Sequence, residues 1–342
     1  MITLQTFALS NRDFLLFVTS FCLGGGGAWL ISRTRLRMML MSLPDERSSH
    51  NVPIPRGGGF GILLVVILSG LALNVPTHFL FPAIFVSAVS FYNDYHQLSV
   101  RVRLIVQFVA AITMLLPSLY YLMPQNLITS AMFTVLMFSF VVLFVVGTTN
   151  FYNFMDGING IAGISGAVAF FLIGIFNSVQ ADDSCFKNLS VFSFCIAFAC
   201  LGFLPFNVPK ARVFLGDIGS ILLGFLFAGL VVKLSHNMLN FITMTAFLFP
   251  FYVDELTTMW VRFRDGEKLS EPHRRHLYQL LANEYRLPHW KVSLIYGAMQ
   301  LFIALTIIFV SSWGILYVLW LLAVFFMALT FLSFYYRRRI EA

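Results

Sequence analysis

Charged residues are scarce in this chain. Only 11% of its 342 residues are Asp, Glu, Lys or Arg, whereas soluble domains contain about 25% charged residues. This scarcity argues against a soluble globular protein. Disorder is excluded as well, because disordered chains combine low hydrophobicity with high charge, and here 59% of the residues are hydrophobic and 39 are Phe. Most of the apolar surface is therefore expected to contact lipid.

Cysteine is also scarce, with four residues in the chain. Cys22, Cys195 and Cys200 lie in apolar runs, and only Cys185 lies in a predicted loop. Their spacings match no metal or redox motif, so we interpret them as small core residues. Residues 1–12 lack the basic segment that starts a signal peptide. The first apolar stretch is therefore predicted to be a retained span.

Long apolar stretches fill most of the chain. A transmembrane helix needs about 20 residues, and eleven stretches can be assigned as spans. They are residues 13–32, 60–73, 79–92, 104–123, 127–149, 160–179, 190–205, 218–235, 239–260, 292–311 and 313–335. The sequence therefore predicts an all-α, polytopic integral membrane protein with about eleven helices, forming a single domain over residues 1–342. A glycine run at residues 24–27 predicts close helix packing within the first span.

Basic residues are distributed unevenly between the loops. If residues 1–12 lie outside, 19 of the 22 Lys and Arg residues lie inside, and only Arg12, Lys187 and Lys233 lie outside. This asymmetry follows the positive-inside rule and predicts an N-out, C-in topology. It also accounts for the net charge of +7 without a nucleic-acid partner. The inside loops are the long, polar ones, so we expect function on the cytoplasmic face.

The first of these loops, residues 44–59, reads PDERSSHNVPIPRGGG. Successive backbone N–H groups in its glycine run can turn toward a bound anion, and His50 and Arg56 add basic groups. A solvated basic loop that leads into the next span is the alternative interpretation.

The second loop contains Asp94, at the end of a span that has no other acid. A carboxylate at that depth is a functional candidate. A helix C-cap, or a pair with Arg101 or Arg103, is the alternative.

The third loop, residues 150–163, contains Asp156 but no basic residue that could neutralise it. Four polar residues recur there every three positions: Asn150, Asn153, Asp156 and Asn159. They would share one face if the segment were helical. Turn formation around its glycines is the alternative.

The fourth loop ends with Asp217 between two nearby glycines, at the predicted start of a helix. A simple N-cap is one interpretation, because the helix dipole favours a negative group there. The alternative is a carboxylate that a bulky anion and its metal ion can approach closely.

The fifth loop contains His273 and His276 in the motif HRRH, after Asp254 and Glu255. Zinc would need a third ligand at a recognisable spacing, and none is found. Hard oxygen ligands without cysteine favour Mg²⁺ or Mn²⁺, and Mg²⁺ typically combines one or two carboxylates with substrate phosphates. The loops together therefore predict a phosphate ester or diphosphate substrate at the inner membrane surface.

In order and spacing, these motifs resemble the polyprenyl-phosphate N-acetylhexosamine-1-phosphate transferase superfamily, glycosyltransferase family 4. The motifs are PDERSSHNVPIPRGGG, NDYHQLSVRVRLIVQ, NFYNFMDGINGIAG, GFLPFNVPKARVFLGDIGS, and P-x3-D followed by HRRH. They extend over about residues 40–280. The chain looks most like the bacterial branch that starts O-antigen or other surface-polysaccharide synthesis, because of RSSH with PRGGG, YNFMDGI and HRxH.

The resemblance implies transfer of N-acetylhexosamine 1-phosphate, GlcNAc or a deoxy relative, from a UDP-sugar to undecaprenyl phosphate. UMP would be released, and the reaction would need Mg²⁺, with Mn²⁺ as the alternative ion. The resemblance further implies a multi-pass protein of the bacterial inner membrane, in contact with membrane lipid. A homodimer is compatible with it.

The resemblance also implies roles for individual residues. The catalytic residues would be Asp94, Asp156, Asp217, His273 and His276. The substrate-binding residues would be His50, Arg56, Asn153, Asn207, Phe214 and Arg274. Of the catalytic residues, Asp217 and Asp94 would be metal ligands. Of the substrate-binding residues, Asn207 and Phe214 would hold the uracil. The two histidines would contact the diphosphate.

Two positions depart from the family pattern. The family usually has paired acids where this chain has Asn93 before Asp94, and it usually has DGxDG where this chain has Asn159 after Asp156. The first departure is tolerable, because a phosphate monoester has a second pKa of about 6 and needs little deprotonation at neutral pH. These departures leave open an impaired homologue that acts as a scaffold. A secondary transporter is a separate alternative, but the inverted repeats expected of one are not found in the sequence.

Overall fold

The computed structural model describes residues 10–34, 38, 40–42, 52–96, 98–122, 129–180, 184–268 and 273–341. Regular structure in these ranges is almost entirely helical. The helices are α1 (Asn11–Arg33), α2 (Phe60–Ala72), α3 (Thr77–His96), α4 (Val100–Leu122), α5 (Thr129–Phe154), α6 (Ile161–Gln180), α7 (Ser184–Asn207), α8 (Asp217–Leu234), α9 (Met238–Thr245), α10 (Phe249–Arg264), α11 (Leu277–Asn283), α12 (His289–Ser311) and α13 (Ile315–Glu341), with a 3₁₀ helix at Ala246–Leu248. Strand β1 (Met41–Ser42) pairs antiparallel with β2 (Ile54–Pro55). The prediction of an all-α protein is confirmed.

Eight of these helices are long and apolar enough to cross a membrane. They are α1, α4, α5, α6, α7, α8, α12 and α13. The prediction of a polytopic membrane protein is confirmed, although eleven spans were expected. Among the remaining stretches, α2 has only 13 residues and α3 is less apolar. Residues 239–260 are divided between α9, the 3₁₀ helix and α10, since Pro250 cannot continue a preceding helix.

Helix α8 is the centre of the bundle. Its side chains are buried almost all round, as expected for an apolar helix without a polar face. It packs against α2, α3, α5, α6 and α9. The first residue of α8, Asp217, therefore lies where the ends of several helices meet.

The glycine run of α1 allows close packing, as predicted. A Cβ at Gly24 would overlap the carbonyl of Ala199 in α7, and a Cβ at Gly27 would overlap the backbone of Gly61 in α2. Small residues of this kind let helix backbones approach closely in membranes. The contacts fix α2, and the loop before it, against α1 and α7.

The described parts of the predicted inside loops converge at one end of the bundle. The N–H of Gly58 donates to the carbonyl of Phe214 at 2.8 Å, and the hydroxyl of Tyr278 donates to the carbonyl of Phe154 at 2.9 Å. Predicted outside loops meet elsewhere, where Asn188 donates to the carbonyl of Leu73 at 2.9 Å. The convergence of the loops is confirmed, and the side on which they lie stays a prediction.

Candidate active site

Asp217 receives hydrogen bonds from three helices. Its Oδ2 accepts from Asn93 Nδ2 in α3 at 2.7 Å, and its Oδ1 accepts from Asn153 Nδ2 in α5 at 3.0 Å. A guanidinium nitrogen of Arg103 in α4 lies 3.5 Å from Oδ2. The N-cap position of α8 belongs to Gly216, with φ of 77°. Asp217 is therefore the first residue of the helix and not its N-cap. Its side chain is 21% exposed, so the carboxylate is partly accessible to a ligand.

The N-terminus of α8 is capped by Asp94 from α3. Its Oδ1 accepts from the N–H of Asp217 at 3.1 Å, and its Oδ2 accepts from the N–H of Ile218 at 3.2 Å. A Cβ at Gly216 would lie only 2.8 Å from Asp94 Oδ2, so a glycine is needed there. Asp94 thus caps another helix, which neither of the simple alternatives for this residue predicted.

The three acids of the site influence one another. Burial, and then the Asp217 carboxylate, raise the pKa of Asp94 to about 7. Burial, followed by the charges of Asp217 and Asp94, raises the pKa of Asp156 well above its usual value. Arg56 opposes both shifts. The positive partner that the 150–163 loop lacks is therefore supplied by the glycine-rich loop.

That glycine-rich loop is fastened to the segment before α8. The N–H groups of Gly58 and Gly59 donate to the carbonyls of Phe214 and Leu215 at 2.8 and 2.9 Å, and the N–H of Phe214 donates to Pro55 at 2.8 Å. The two glycine N–H groups are thus used within the protein. The expectation that the run turns its N–H groups toward an anion is wrong for these two residues. Arg56 is exposed beside them.

The polar residues of the third loop do not share one helical face. Helix α5 ends at Phe154, so Asn150 and Asn153 are helical, whereas Asp156 and Asn159 lie in the following turn. Asn150 donates to Gln107 at 2.6 Å, away from the Asn153–Asp217 contact. The helical interpretation holds for the first two residues and the turn interpretation for the last two.

Asn207 is the last residue of α7, and Phe214 lies in the loop between α7 and α8. Asn207 is buried; its Oδ1 accepts from the N–H of Gly160 at 2.5 Å, and its Nδ2 donates to the carbonyl of Val213 at 2.9 Å. Both amide atoms therefore join this loop to the turn after Asp156. Phe214 is half-buried. A role for either residue in holding uracil stays a prediction.

The two histidines of HRRH have different surroundings. Their rings lie 4.7 Å apart between centroids. His273 is half-buried, and burial, followed by the charge of His276, lowers the pKa of His273 to about 3. His273 is therefore a neutral imidazole at pH 7. His276 is buried between Asp254 and Glu255, and Arg274 is half-buried beside it.

Contact of both histidines with a diphosphate stays a prediction, although only His273 is partly accessible. His50 lies outside the described residues.

The acids fit a Mg²⁺ site that substrate completes. Within the described ranges, no group of three His, Cys, Asp or Glu side chains forms a metal cage. Asp94 nevertheless accepts from the backbone N–H of Asp217, and the Asp217 carboxylate is near enough to raise the pKa of Asp94, so two carboxylates with oxygen donors lie close together. Mg²⁺ typically takes one or two carboxylates and completes its shell with phosphate oxygens and water. Mn²⁺ suits the same donors.

Sequence reasoning missed two residues that contact Asp217. Asn93 was noted only as a departure from the family pattern, and Arg103 only as a partner for Asp94. In the sequence, Asn93 lies 124 residues and Arg103 lies 114 residues before Asp217. The only signal in the sequence was the polar composition of the second loop.

Comparison with known proteins supports the resemblance. The chain matches glycosyl transferase family 4 over residues 77–235, which include all three acids of the site. It is 28% identical over 254 residues to an undecaprenyl-phosphate alpha-N-acetylglucosaminyl 1-phosphate transferase of Thermotoga maritima, covering 74% of this chain and 75% of that protein. These matches support the similarity of the chain to the polyprenyl-phosphate N-acetylhexosamine-1-phosphate transferase superfamily.

Two further relatives within the superfamily cover similar shares. A probable undecaprenyl-phosphate N-acetylglucosaminyl 1-phosphate transferase of Bacillus subtilis is 24% identical over 315 residues, covering 86% of this chain and 85% of that protein. A decaprenyl-phosphate N-acetylglucosaminephosphotransferase of Mycobacterium leprae is 27% identical over 281 residues, covering 72% and 70% respectively. The similarity to these three relatives therefore extends over most of the chain.

Proposed function

We propose that this protein transfers N-acetylhexosamine 1-phosphate from a UDP-sugar to undecaprenyl phosphate and releases UMP. The observation that carries the proposal is the meeting of Asp94, Asp156 and Asp217 with Arg56 and Arg103 at the start of α8. The names of the relatives, which specify undecaprenyl or decaprenyl phosphate and N-acetylglucosamine, support the acceptor and GlcNAc as the sugar.

The reaction joins two anions, so charge is its main difficulty. An oxygen of the acceptor phosphate attacks the β-phosphorus of the donor, and the bond from that phosphorus to the UMP oxygen breaks. Arg56 and Arg103 bring positive charge to the site, and the N-terminus of α8 adds a partial positive charge. Mg²⁺ held by Asp94 and Asp217 would supply the positive charge that offsets the remaining repulsion.

Proton removal is a smaller difficulty. The acceptor phosphate has a second pKa of about 6, so most of it is a dianion at neutral pH. Asn93, which cannot act as a base, donates to Asp217 instead. His273, neutral at pH 7, can donate a hydrogen bond to a phosphate oxygen without adding a fixed charge. The site therefore suits positioning and charge compensation more than base catalysis.

The biological setting belongs to the same proposal. The O-antigen-like motifs favour initiation of O-antigen or a related surface polysaccharide, in the bacterial inner membrane with the active site on the cytoplasmic side. The acceptor is a membrane lipid, so a site at the end of the bundle, where helices leave the bilayer, would be accessible to its phosphate.

The test is direct. Purified protein is incubated with undecaprenyl phosphate, Mg²⁺ and a panel of UDP-N-acetylhexosamines, and UMP and the lipid-linked product are measured. We expect UMP release that requires the lipid, with one or two sugars preferred. Asp217→Asn is the matched control, because it keeps side-chain size but removes the charge. Folded protein that releases no UMP with any sugar would refute the proposal and favour a scaffold role.

A further inference from the structure

We propose that Asp254 is a positioning residue that holds two parts of the active site in one arrangement. These parts are the HRRH segment, residues 273–276, and the turn that contains Asp156. The inference rests on the proposed function, because it assigns to Asp254 a role in that reaction. Asp254 itself is too enclosed to contact a substrate, with 4% of its surface exposed.

The carboxylate of Asp254 in α10 joins three helices. Its Oδ1 accepts from the N–H of Leu277 at 2.8 Å and from the hydroxyl of Thr258 at 3.2 Å. Its Oδ2 accepts from the N–H of Tyr278 at 3.2 Å and from the hydroxyl of Tyr296 in α12 at 2.7 Å. The first turn of α11, which directly follows HRRH, is therefore fixed to α10 and α12.

Tyr278 extends this connection to the Asp156 turn. While its N–H donates to Asp254, its hydroxyl donates to the carbonyl of Phe154 at 2.9 Å. A Cβ at Gly157 would overlap the Tyr278 hydroxyl, so the turn closes directly on this side chain. Phe154 lies two residues before Asp156 in the sequence, and Gly157 directly follows it. One buried side chain thus connects Asp254 to a proposed catalytic acid.

HRRH is fastened to the same group by its last residues. The ring of His276 has Nδ1 3.7 Å from Asp254 Oδ1 and Nε2 3.4 Å from Glu255 Oε2. Arg275 pairs with Asp265 at 2.6 Å and also with Glu267. His276 and Arg275 are thus both held by acids of this protein, whereas His273, at the beginning of the segment, is half-buried and accepts from the N–H of Arg275 at 3.3 Å.

Three conservative variants test the connection one hydrogen bond at a time. Tyr296→Phe removes one donor to Asp254, Tyr278→Phe removes only the bond to the Asp156 turn, and Asp254→Asn removes the charge. We expect kcat to fall about 10- to 100-fold in Tyr278→Phe and Asp254→Asn, the range typical of residues that orient active-site groups. KM for the UDP-sugar should rise, and KM for the polyprenyl phosphate should not change.

A double variant tests whether the two residues act through one path. If they do, Asp254→Asn combined with Tyr278→Phe should lose little more activity than the more damaging single variant, because coupled residues are not additive. Losses that multiply fully would contradict a shared path.

Gln300→Leu is the matched structural control. Gln300 lies one turn beyond Tyr296 in α12, is 1% exposed, and donates to the carbonyls of Ser165 and Phe247 at 3.0 and 2.7 Å. We expect it to lower thermal stability without raising KM for the UDP-sugar. If Tyr278→Phe and Tyr296→Phe behave in the same way, Asp254 is only structural and the inference fails.

Hydrogen exchange separates this inference from the proposed function, since it needs no turnover. Tyr278→Phe and Asp254→Asn should speed amide exchange in residues 154–160, whereas Gln300→Leu should not. Unchanged exchange there would overturn the inference even in an active enzyme. An inactive parent protein that shows the exchange pattern would contradict the proposed function alone.

Discussion

Asn93→Asp is the substitution that best separates charge compensation from base catalysis. It replaces an amide that donates to Asp217 Oδ2 at 2.7 Å with a second carboxylate. Two unit charges about 4 Å apart repel by about 4 kcal/mol at an effective dielectric constant of about 20, and the lost charge-assisted hydrogen bond adds about 1.5–3 kcal/mol. Relaxation and solvent reduce this sum, so we expect a loss of about 2–4 kcal/mol in stability without a divalent ion.

Two assays follow from this magnitude. Thermal unfolding without Mg²⁺ should begin at least about 4 °C lower in Asn93→Asp than in the parent, and added Mg²⁺ should recover most of the difference. Turnover at saturating Mg²⁺ should change only a few-fold, because the acceptor arrives already ionised. In both the parent and Asn93→Asp, turnover should rise as the pH is raised through about 6, because the acceptor phosphate becomes a dianion.

The refuting result is specific. If Asn93→Asp raised turnover by about 100-fold or more, the scale of general base catalysis, and added a new ionisation to the pH profile, the parent would lack a base that the reaction needs. The reasoning from acceptor ionisation would then be wrong. The chain would be better described as an impaired homologue of the transferases that it resembles.

Three further predictions concern charge and topology. Asp217→Asn should keep the fold but lose at least about 100-fold in turnover, the scale of one essential electrostatic contact; near-normal turnover with normal Mg²⁺ dependence would contradict this. Asp94→Asn should lose both activity and stability, because an amide cannot accept equally from two N–H groups of α8; a folded and active variant would show that the cap is dispensable. Single cysteines in residues 265–290 should be protected from an impermeant reagent in intact cells, whereas those in 182–188 should be labelled; the reverse pattern would overturn the predicted topology.

Composition and motif order were sufficient to predict the fold class and the meeting of the acids. Apolar stretches separated by short polar loops allow few arrangements in a membrane, and Asp94, Asp156 and Asp217 each follow or precede such a stretch. Their loops therefore had to meet at one end. The close packing of α1 was predictable for a similar reason, because a run of glycines has little other use inside a span.

The role of each atom could not be predicted, because the partners are distant in sequence. Asp94 was assigned a metal, and the structure shows that it also caps α8. The backbone of Gly58 and Gly59 was assigned an anion, and it pairs instead with the segment before Asp217. Asn207 was assigned uracil, and both of its amide atoms bind backbone. Short motifs specify residue types, whereas tertiary packing decides which lone pairs remain available.

The division of the stretch 239–260 was missed for a different physical reason. Hydropathy alone does not show where a helix breaks, and Pro250 starts a new helix within the predicted stretch 239–260. The break lies near the site, since α10 begins there and carries Asp254, which accepts hydrogen bonds from α11 and α12. A continuous span would have placed this acid in a different helix environment.

The charges of the site explain why a protein without a paired first acid can still need a divalent ion. With all three carboxylates ionised, Asp94, Asp156 and Asp217 outweigh Arg56 and Arg103 by one unit of negative charge. The N-terminus of α8 offsets about half of that unit. In that fully ionised state, protein groups alone leave the site close to neutral, which gives little attraction to a diphosphate and a phosphate dianion together. A divalent cation adds two units of positive charge and changes the sign of the site, and with Asn93 in place of a second acid the resulting net charge is one unit more positive.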